Sequence, residues 1–221
     1  MSTSHAEKIV HLPVDSVTLE GALAIPDHAQ GLVVFAHGSG SSRFSPRNNA
    51  VAQVLRQAGI GTLLLDLLTE QEDAVYETRF DIELLTERLL LATHWLQTQP
   101  DAHHLVMGYF GASTGAAAAL KAAATLGTSI GAVVSRGGRP DLAKEALSQV
   151  QSPTLLIVGG KDTAVLHLNR EALARLAGEK ELVIVPGATH LFEEPGALEQ
   201  VAQAATQWFT RYLRRGSVRS A

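Results

Sequence analysis

The chain contains no cysteine. That removes disulfides, thiolate metal sites and a cysteine nucleophile, and it agrees with a reducing compartment. A positive excess is missing too: 18 Lys and Arg stand against 22 Asp and Glu, for a net charge of -4 and a pI of ≈ 6.1. No global basic field therefore argues for nucleic acid. No apolar run approaches membrane-spanning length, and residues 1–10 lack the apolar centre of a signal peptide. A soluble, cytoplasmic protein that engages neither nucleic acid nor membrane is the expectation. Repeats and low-complexity linkers are also absent. The 221 residues are expected to form one domain, 1–221, with loose ends at 1–7 and 216–221. A chain of this size buries roughly 70% of its unfolded surface. The oligomeric expectation is a monomer or small homo-oligomer.

What is present is an alternation. Residues 8–13 and 16–25 carry alternating apolar positions and read as an antiparallel pair with a turn near Asp15. Leu32-Val33-Val34-Phe35-Ala36 is a continuous apolar run, typical of a strand covered on both faces. Pro46 opens a helix whose period runs through Val51, Val54, Leu55 and Ala58. Strands at 60–65, 105–110, 130–135, 154–158 and 182–185 then alternate with helices at 80–98, 116–124, 142–148, 166–176 and 197–213. Residues 69–78 read as a polar connector. The basic end of the last helix, Arg211, Arg214 and Arg215, suits its C-terminal dipole. Such alternation implies a mostly parallel sheet with helices on both faces, led by an antiparallel pair: an α/β architecture. The stretch 136–152 is long enough for a short helix but not for a helical cap domain, so an open site is expected.

Gly111-Ala112-Ser113-Thr114-Gly115 is the organising stretch. An apolar strand precedes it and an alanine-rich helix follows, the strand–turn–helix context of a nucleophile elbow. The turn is expected to hold Ser113 in a sparsely populated backbone conformation with its hydroxyl above the sheet edge. Gly111 and Gly115 suit a close approach of strand and helix. Thr114 opens the helix, so its N–H can face a developing oxyanion with the helix dipole behind it.

In such sheets functional groups gather at the carboxyl ends of the strands. Asp162 follows a later strand in Gly-Gly-Lys-Asp, and His190 follows the last one in Pro-Gly-Ala-Thr-His. The order Ser113, Asp162, His190 is the one this kind of sheet uses for a triad. His190 would take the proton as Ser113 attacks a carbonyl, and Asp162 would fix the imidazole tautomer. Of nine histidines, only His190 sits just past the final strand in a glycine-containing loop. Asp66, at the end of an earlier strand, is the rival carboxylate, with either a structural role or that of the triad acid.

His37-Gly38-Ser39-Gly40 follows the first long apolar strand, where a second oxyanion donor is needed. The Ser39 N–H is the candidate, with Gly40 next; His37 reads as a hydrogen-bonding anchor of the loop. No Lys-Ser or Lys-Thr follows, as a phosphate-cradling loop would need. Neither cysteines nor histidine pairs at helical ligand spacing support a metal, and no cofactor is expected. Four arginines cluster around loops at the active edge: Arg43 and Arg47, then Arg136 and Arg139. Arg43 and Arg136 are the candidates for gripping an acidic substrate. The competing reading pairs Arg136 and Arg139 with Asp141 or Glu145 and leaves Arg47 in water.

Taken together, these motifs resemble the α/β-hydrolase superfamily, and within it the compact branch related to dienelactone hydrolase. The resemblance runs from the His-Gly-Ser-Gly loop through Gly-Ala-Ser-Thr-Gly to the Ala-Thr-His loop. It implies an α/β-hydrolase sheet and a Ser113-Asp162-His190 triad. Dienelactone hydrolases proper use cysteine as nucleophile, whereas this chain has Ser113, so the dienelactone substrate does not carry over. The expected activity is hydrolysis of a small carboxylic ester or lactone through an acyl-enzyme. The alternatives are a thioesterase or acyltransferase using the same triad, or a non-catalytic binding module that keeps the fold.

Overall fold

The computed structural model describes residues 7–14 and 17–214. The turn expected near Asp15, the end residue Arg215 and the segments 1–6 and 216–221 lie outside them. Eight strands form one sheet: β1 (Lys8–Val14), β2 (Val17–Ala24), β3 (Gly31–Ala36), β4 (Ile60–Leu65), β5 (Val106–Ala112), β6 (Ile130–Arg136), β7 (Thr154–Gly159) and β8 (Lys180–Val185). Their spatial order is β1-β2-β4-β3-β5-β6-β7-β8. β1 pairs antiparallel with β2, and β2 antiparallel with β4; every other pairing is parallel. This is the α/β sheet with an antiparallel start that the alternation implied.

Among the described residues six α-helices clothe it: α1 (Pro46–Gln57), α2 (Glu70–Asp73), α3 (Ile82–Thr98), α4 (Thr114–Leu126), α5 (Thr163–Arg175) and α6 (Ala197–Tyr212). Continuous apolar runs become doubly covered strands, and every residue of β3, β4, β6 and β7 is buried. One core lies under α3, α4 and α5, built on Leu32, Val34, Tyr109, Val133 and the α4 alanines. The other lies under α1 and α6, built on Val33, Phe35, Phe110, Val134, Val201 and Phe209. Alternate residues of the same strands feed the two cores, as the period of two requires.

Two sequence expectations need correction. The connector at 69–78 contains helix: α2, closed by a capping box in which Thr69 and Glu72 exchange bonds, then a 3-10 turn at Glu77–Phe80. The short helix at 142–148 is part of a longer 3-10 segment, Pro140–Gln149, broken at Lys144, whose φ is 51°. Short helices of this kind carry too few residues for a helical period to show. Between β6 and β7 the chain has only this segment, too short for a helical cap domain.

Candidate active site

The parallel strands all end on one edge, so β3, β4, β5, β6, β7 and β8 deliver His37, Asp66, Ser113, Arg136, Asp162 and His190 to it in turn. Ser113 joins β5 to α4 with φ 50° and ψ −121°. A serine held at positive φ costs about 1–3 kcal/mol, so neighbouring structure must impose the turn. It does so through glycines. A Cβ on Gly111 would lie 2.4 Å from Ala116 Cα, and one on Gly115 only 2.2 Å from the Ala36 carbonyl oxygen. Strand, turn and helix are thus in backbone contact. Ser113 also occupies the N-cap position of α4, yet its side chain makes no capping bond. Serine is among the best caps, worth about 1 kcal/mol, and here its hydroxyl is left uncommitted.

His190 and Asp162 meet. The Nδ1 of His190 lies 2.6 Å from Asp162 Oδ2. A donor Nδ1–H facing the carboxylate leaves Nε2 as the nitrogen able to accept a proton. Backbone bonds hold both loops: Lys161 N–H donates to Ala188 O (2.9 Å) and Gly160 N–H to Val185 O (2.9 Å). Thr189 N–H donates to the Glu194 carboxylate at 3.0 Å, fixing the residue before the histidine. Asp162 stands at the N-cap of α5, but its side chain makes no cap bond and is free for the ring.

The segment 136–139 brings Ser113 towards this pair. Ser113 N–H donates to Arg136 O (3.3 Å), and Arg139 N–H donates to Ser113 O (3.0 Å). On its other side, a Cβ on Gly137 would touch His190, 3.5 Å from Cε1. Among the described residues no hydrogen bond joins the Ser113 hydroxyl to the ring. Hydrogen bonds between nucleophile and base commonly tighten only once substrate binds.

The oxyanion loop departs from expectation. Ser39 N–H does not stand open; it donates to Thr114 Oγ1 at 2.9 Å. His37 anchors the loop as expected: its Nε2 accepts from Leu67 N–H (3.1 Å) and its Nδ1 lies 2.9 Å from Gly38 O. Burial pushes the His37 pKa down. Accepting at Nε2 makes Nδ1 the protonated nitrogen, so this ring is a neutral tie between two loops rather than an acid or base. Gly38 passes close to the nucleophile, a Cβ there falling 2.9 Å from Ser113 Cβ.

The arginines separate into two kinds. Arg43 is corrected to a structural role: its guanidinium pairs with Asp66 and, at 2.5 Å, with Glu20, while its backbone N–H donates to Asp66 Oδ1 at 2.6 Å. That occupies Asp66 too, which leaves Asp162 as the carboxylate on the histidine. Arg139 grips Asp141 through Nε (2.9 Å) and Nη2 (2.8 Å), and Arg47 pairs with Glu193 at 3.1 Å. Arg136 differs. It is 7% exposed and has no carboxylate partner among the described residues. Its Nη2 donates to Asn48 Oδ1 at 3.3 Å, its Cζ lies 5.9 Å from the Phe192 ring centroid, and its Nε is buried without a partner. Burial, with the neighbouring Arg47 charge, pulls its pKa down to about 10, so the guanidinium remains charged at neutral pH. Nothing in the sequence pattern named Asn48 or Phe192 as its neighbours. The one available signal was a polar residue on the buried stripe of α1, where Asn48 joins Val51, Ala52 and Leu55.

The family model of the dienelactone hydrolase family matches residues 19–214. A solved structure described as dienelactone hydrolase from Anabaena variabilis is 58% identical, with a TM-score of 0.93 over 95% of this chain and 99% of that one. Est1E from Butyrivibrio proteoclasticus shares the fold at 16% identity, with a TM-score of 0.79 over 92% of this chain and 98% of its own. A Mycobacterium tuberculosis protein, whose name assigns it only provisionally to the phosphoribosyl transferases, is 57% identical over 92% of this chain. The match covers 46% of that protein, so the chain spans about half the length of the curated relatives it matches.

Proposed function

Since the chain belongs to the dienelactone hydrolase family, we propose that it is a serine hydrolase, cleaving carboxylic esters or lactones through an acyl-enzyme. The observation that carries this reading is the 2.6 Å bond from His190 to Asp162 beside a strained, uncapped serine. His190 Nε2 takes the Ser113 proton as Oγ bonds the carbonyl carbon, and the carbonyl electron pair moves onto oxygen. Collapse of the tetrahedral species breaks the bond to the leaving alkoxide, which takes the proton from His190. Water then repeats the sequence on the acyl-enzyme and releases the acid. Asp162 stabilises the imidazolium in both halves. Without a cap domain between β6 and β7 the site lacks the enclosure that would exclude water from an acyl-enzyme, which favours hydrolysis over transfer to another acceptor. The phosphoribosyl transferase name belongs to a protein about twice this length, of which the match covers 46%.

A fluorophosphonate probe tests the reading. Wild-type protein should be labelled on Ser113 and Ser113→Ala should not, and a panel of esters, lactones and thioesters should be turned over. Labelling elsewhere, or none together with no turnover, would leave the non-catalytic module.

Arg136 is the proposed anchor for an acidic group on the substrate; Arg43 is not. A buried guanidinium without a carboxylate, close to Arg47 and to the positive end of α1, is electrostatically incomplete and suits an incoming anion. An ester bearing a carboxylate should therefore be preferred over its neutral isostere. Arg136→Gln should lower kcat/KM for the charged ester about 10- to 100-fold, the worth of a charge-assisted bond, and spare the neutral one. Added salt should erode the preference. Equal rates for the two esters at every ionic strength would remove Arg136 from the binding site.

A further inference from the structure

The contact between Ser39 and Thr114 changes which group can receive the oxyanion. Ser39 N–H is spent on Thr114 Oγ1 at 2.9 Å. The threonine side chain is buried, and its own hydroxyl proton has no acceptor among the described residues. The hydroxyl is engaged as an acceptor and keeps its proton to donate, which suits a partner that arrives with the substrate. Thr114 is the first residue of α4 and directly follows Ser113. Its N–H is one of the helix-start donors with no intrahelical acceptor, so one residue presents both an N–H and an O–H beside the nucleophile.

We propose that the Thr114 hydroxyl, not the Ser39 N–H, is the second donor of the oxyanion hole, working beside the Thr114 N–H. This rests on the serine-hydrolase reading above. A hydroxyl can accept and donate at once. The bond from Ser39 N–H draws electron density from Oγ1 and makes its proton a stronger donor, the cooperativity expected in a chain of hydrogen bonds. Ser39 thereby becomes a positioning residue: it orients the hydroxyl and does not touch the reacting oxygen. The β-branched side chain adds stiffness at χ1, keeping the donor pre-aimed. As the carbonyl oxygen gains charge, both Thr114 donors shorten onto it, with the dipole of α4 behind them.

The test combines a substitution series with a trapped adduct. Thr114→Val keeps the shape and removes the hydroxyl; it should lower kcat about 10²- to 10³-fold with KM little changed, the usual loss for one oxyanion donor. Thr114→Ser restores the hydroxyl and should recover to within roughly tenfold of wild type. In a crystal structure of wild-type protein phosphonylated on Ser113, the phosphoryl oxygen should lie within hydrogen-bonding distance of Thr114 Oγ1 and N. The idea is overturned if Thr114→Val is as fast as wild type or faster, because freeing Ser39 N–H would then supply the true donor. It is equally overturned if the phosphoryl oxygen binds Ser39 N with Oγ1 turned away, or if Thr114→Ser is as slow as the valine variant. Should Thr114→Val fail to fold, the adduct structure decides alone. Wild-type protein that neither labels nor turns over any ester overturns the hydrolase reading itself, a result distinct from all of these.

Discussion

Ser113→Ala is expected to lower kcat on the order of 10⁴- to 10⁶-fold while leaving the fold intact, and His190→Ala should do the same. Both remove a group with no substitute nearby: among the described residues the site has one uncommitted hydroxyl on a strained turn and one imidazole held by a carboxylate. The double variant should be little worse than either single one, because nucleophile and base act as a unit. Asp162→Asn should cost less, roughly 10³- to 10⁴-fold, since it disturbs tautomer and orientation and leaves the nucleophile in place. Stability should move the other way at one position. Ser113 holds φ 50° and gives no cap, so Ser113→Gly relieves strain without losing a helix bond. It should raise Tm by a few degrees, corresponding to about 1 kcal/mol, while activity disappears. Single-turnover kinetics and calorimetry measure the two sides. Near-native esterase activity in Ser113→Ala or His190→Ala would remove the triad assignment, and a Ser113→Gly protein less stable than wild type would show that the turn is not strained.

The second large effect is structural. Gly115→Ala should destabilise the protein by about 3 kcal/mol or more, enough to abolish much of its soluble yield. The added methyl would lie 2.2 Å from Ala36 O and 2.4 Å from His37 O. Both are backbone atoms, one in central β3 and the other at the start of the oxyanion loop, so neither can yield without shifting a strand that is buried throughout. Gly59 is the control. It has φ 78°, and a methyl group added there would meet nothing within 4 Å, so Gly59→Ala carries only the backbone penalty of about 1 kcal/mol. Urea denaturation of the two variants compares crowding with conformational strain directly. A Gly115→Ala midpoint close to that of wild type would mean that α4 does not press so closely on β3.

The sheet was legible because its strands are unmixed. Ile60–Leu65 and Thr154–Gly159 are apolar at nearly every position and buried at all of them, and only a strand covered on both faces needs that pattern. The elbow was legible for a similar reason: two glycines and a run of alanines are the composition that close strand–helix contact demands. α2 and the 3-10 turn after it escaped notice because their hydrogen bonds are local and their residues bury no stripe. The arginines were harder still. In sequence, Arg43, Arg47, Arg136 and Arg139 look alike. Only the Arg139 partner, Asp141, is a near neighbour in sequence; the others are divided by distant residues: Glu20 and Asp66 for Arg43, Glu193 for Arg47 and, for Arg136 among the described residues, Asn48 and a ring in place of a carboxylate. Ser39 taught the same lesson, since its acceptor lies 75 positions away. Spacing located the donors of the site but could not reveal which of them were already spent.

The order of the strands bears on how the chain comes into being on the ribosome. β3 pairs with β4 on one side and with β5 on the other, Gly31 matching Val106 in register. During synthesis, then, β3 waits for roughly 75 further residues with one edge of backbone N–H and C=O groups unpaired, a long-range parallel pairing of the slow kind. The core shared by α1 and α6 waits longer, because Val201, Ala205 and Phe209 of α6 are made well after the Phe35 and Phe110 with which they share it. A nascent chain halted anywhere before α6 would display a broad greasy surface to its neighbours. Efficient production of this protein should consequently depend on chaperone supply and on elongation speed more than its modest size suggests.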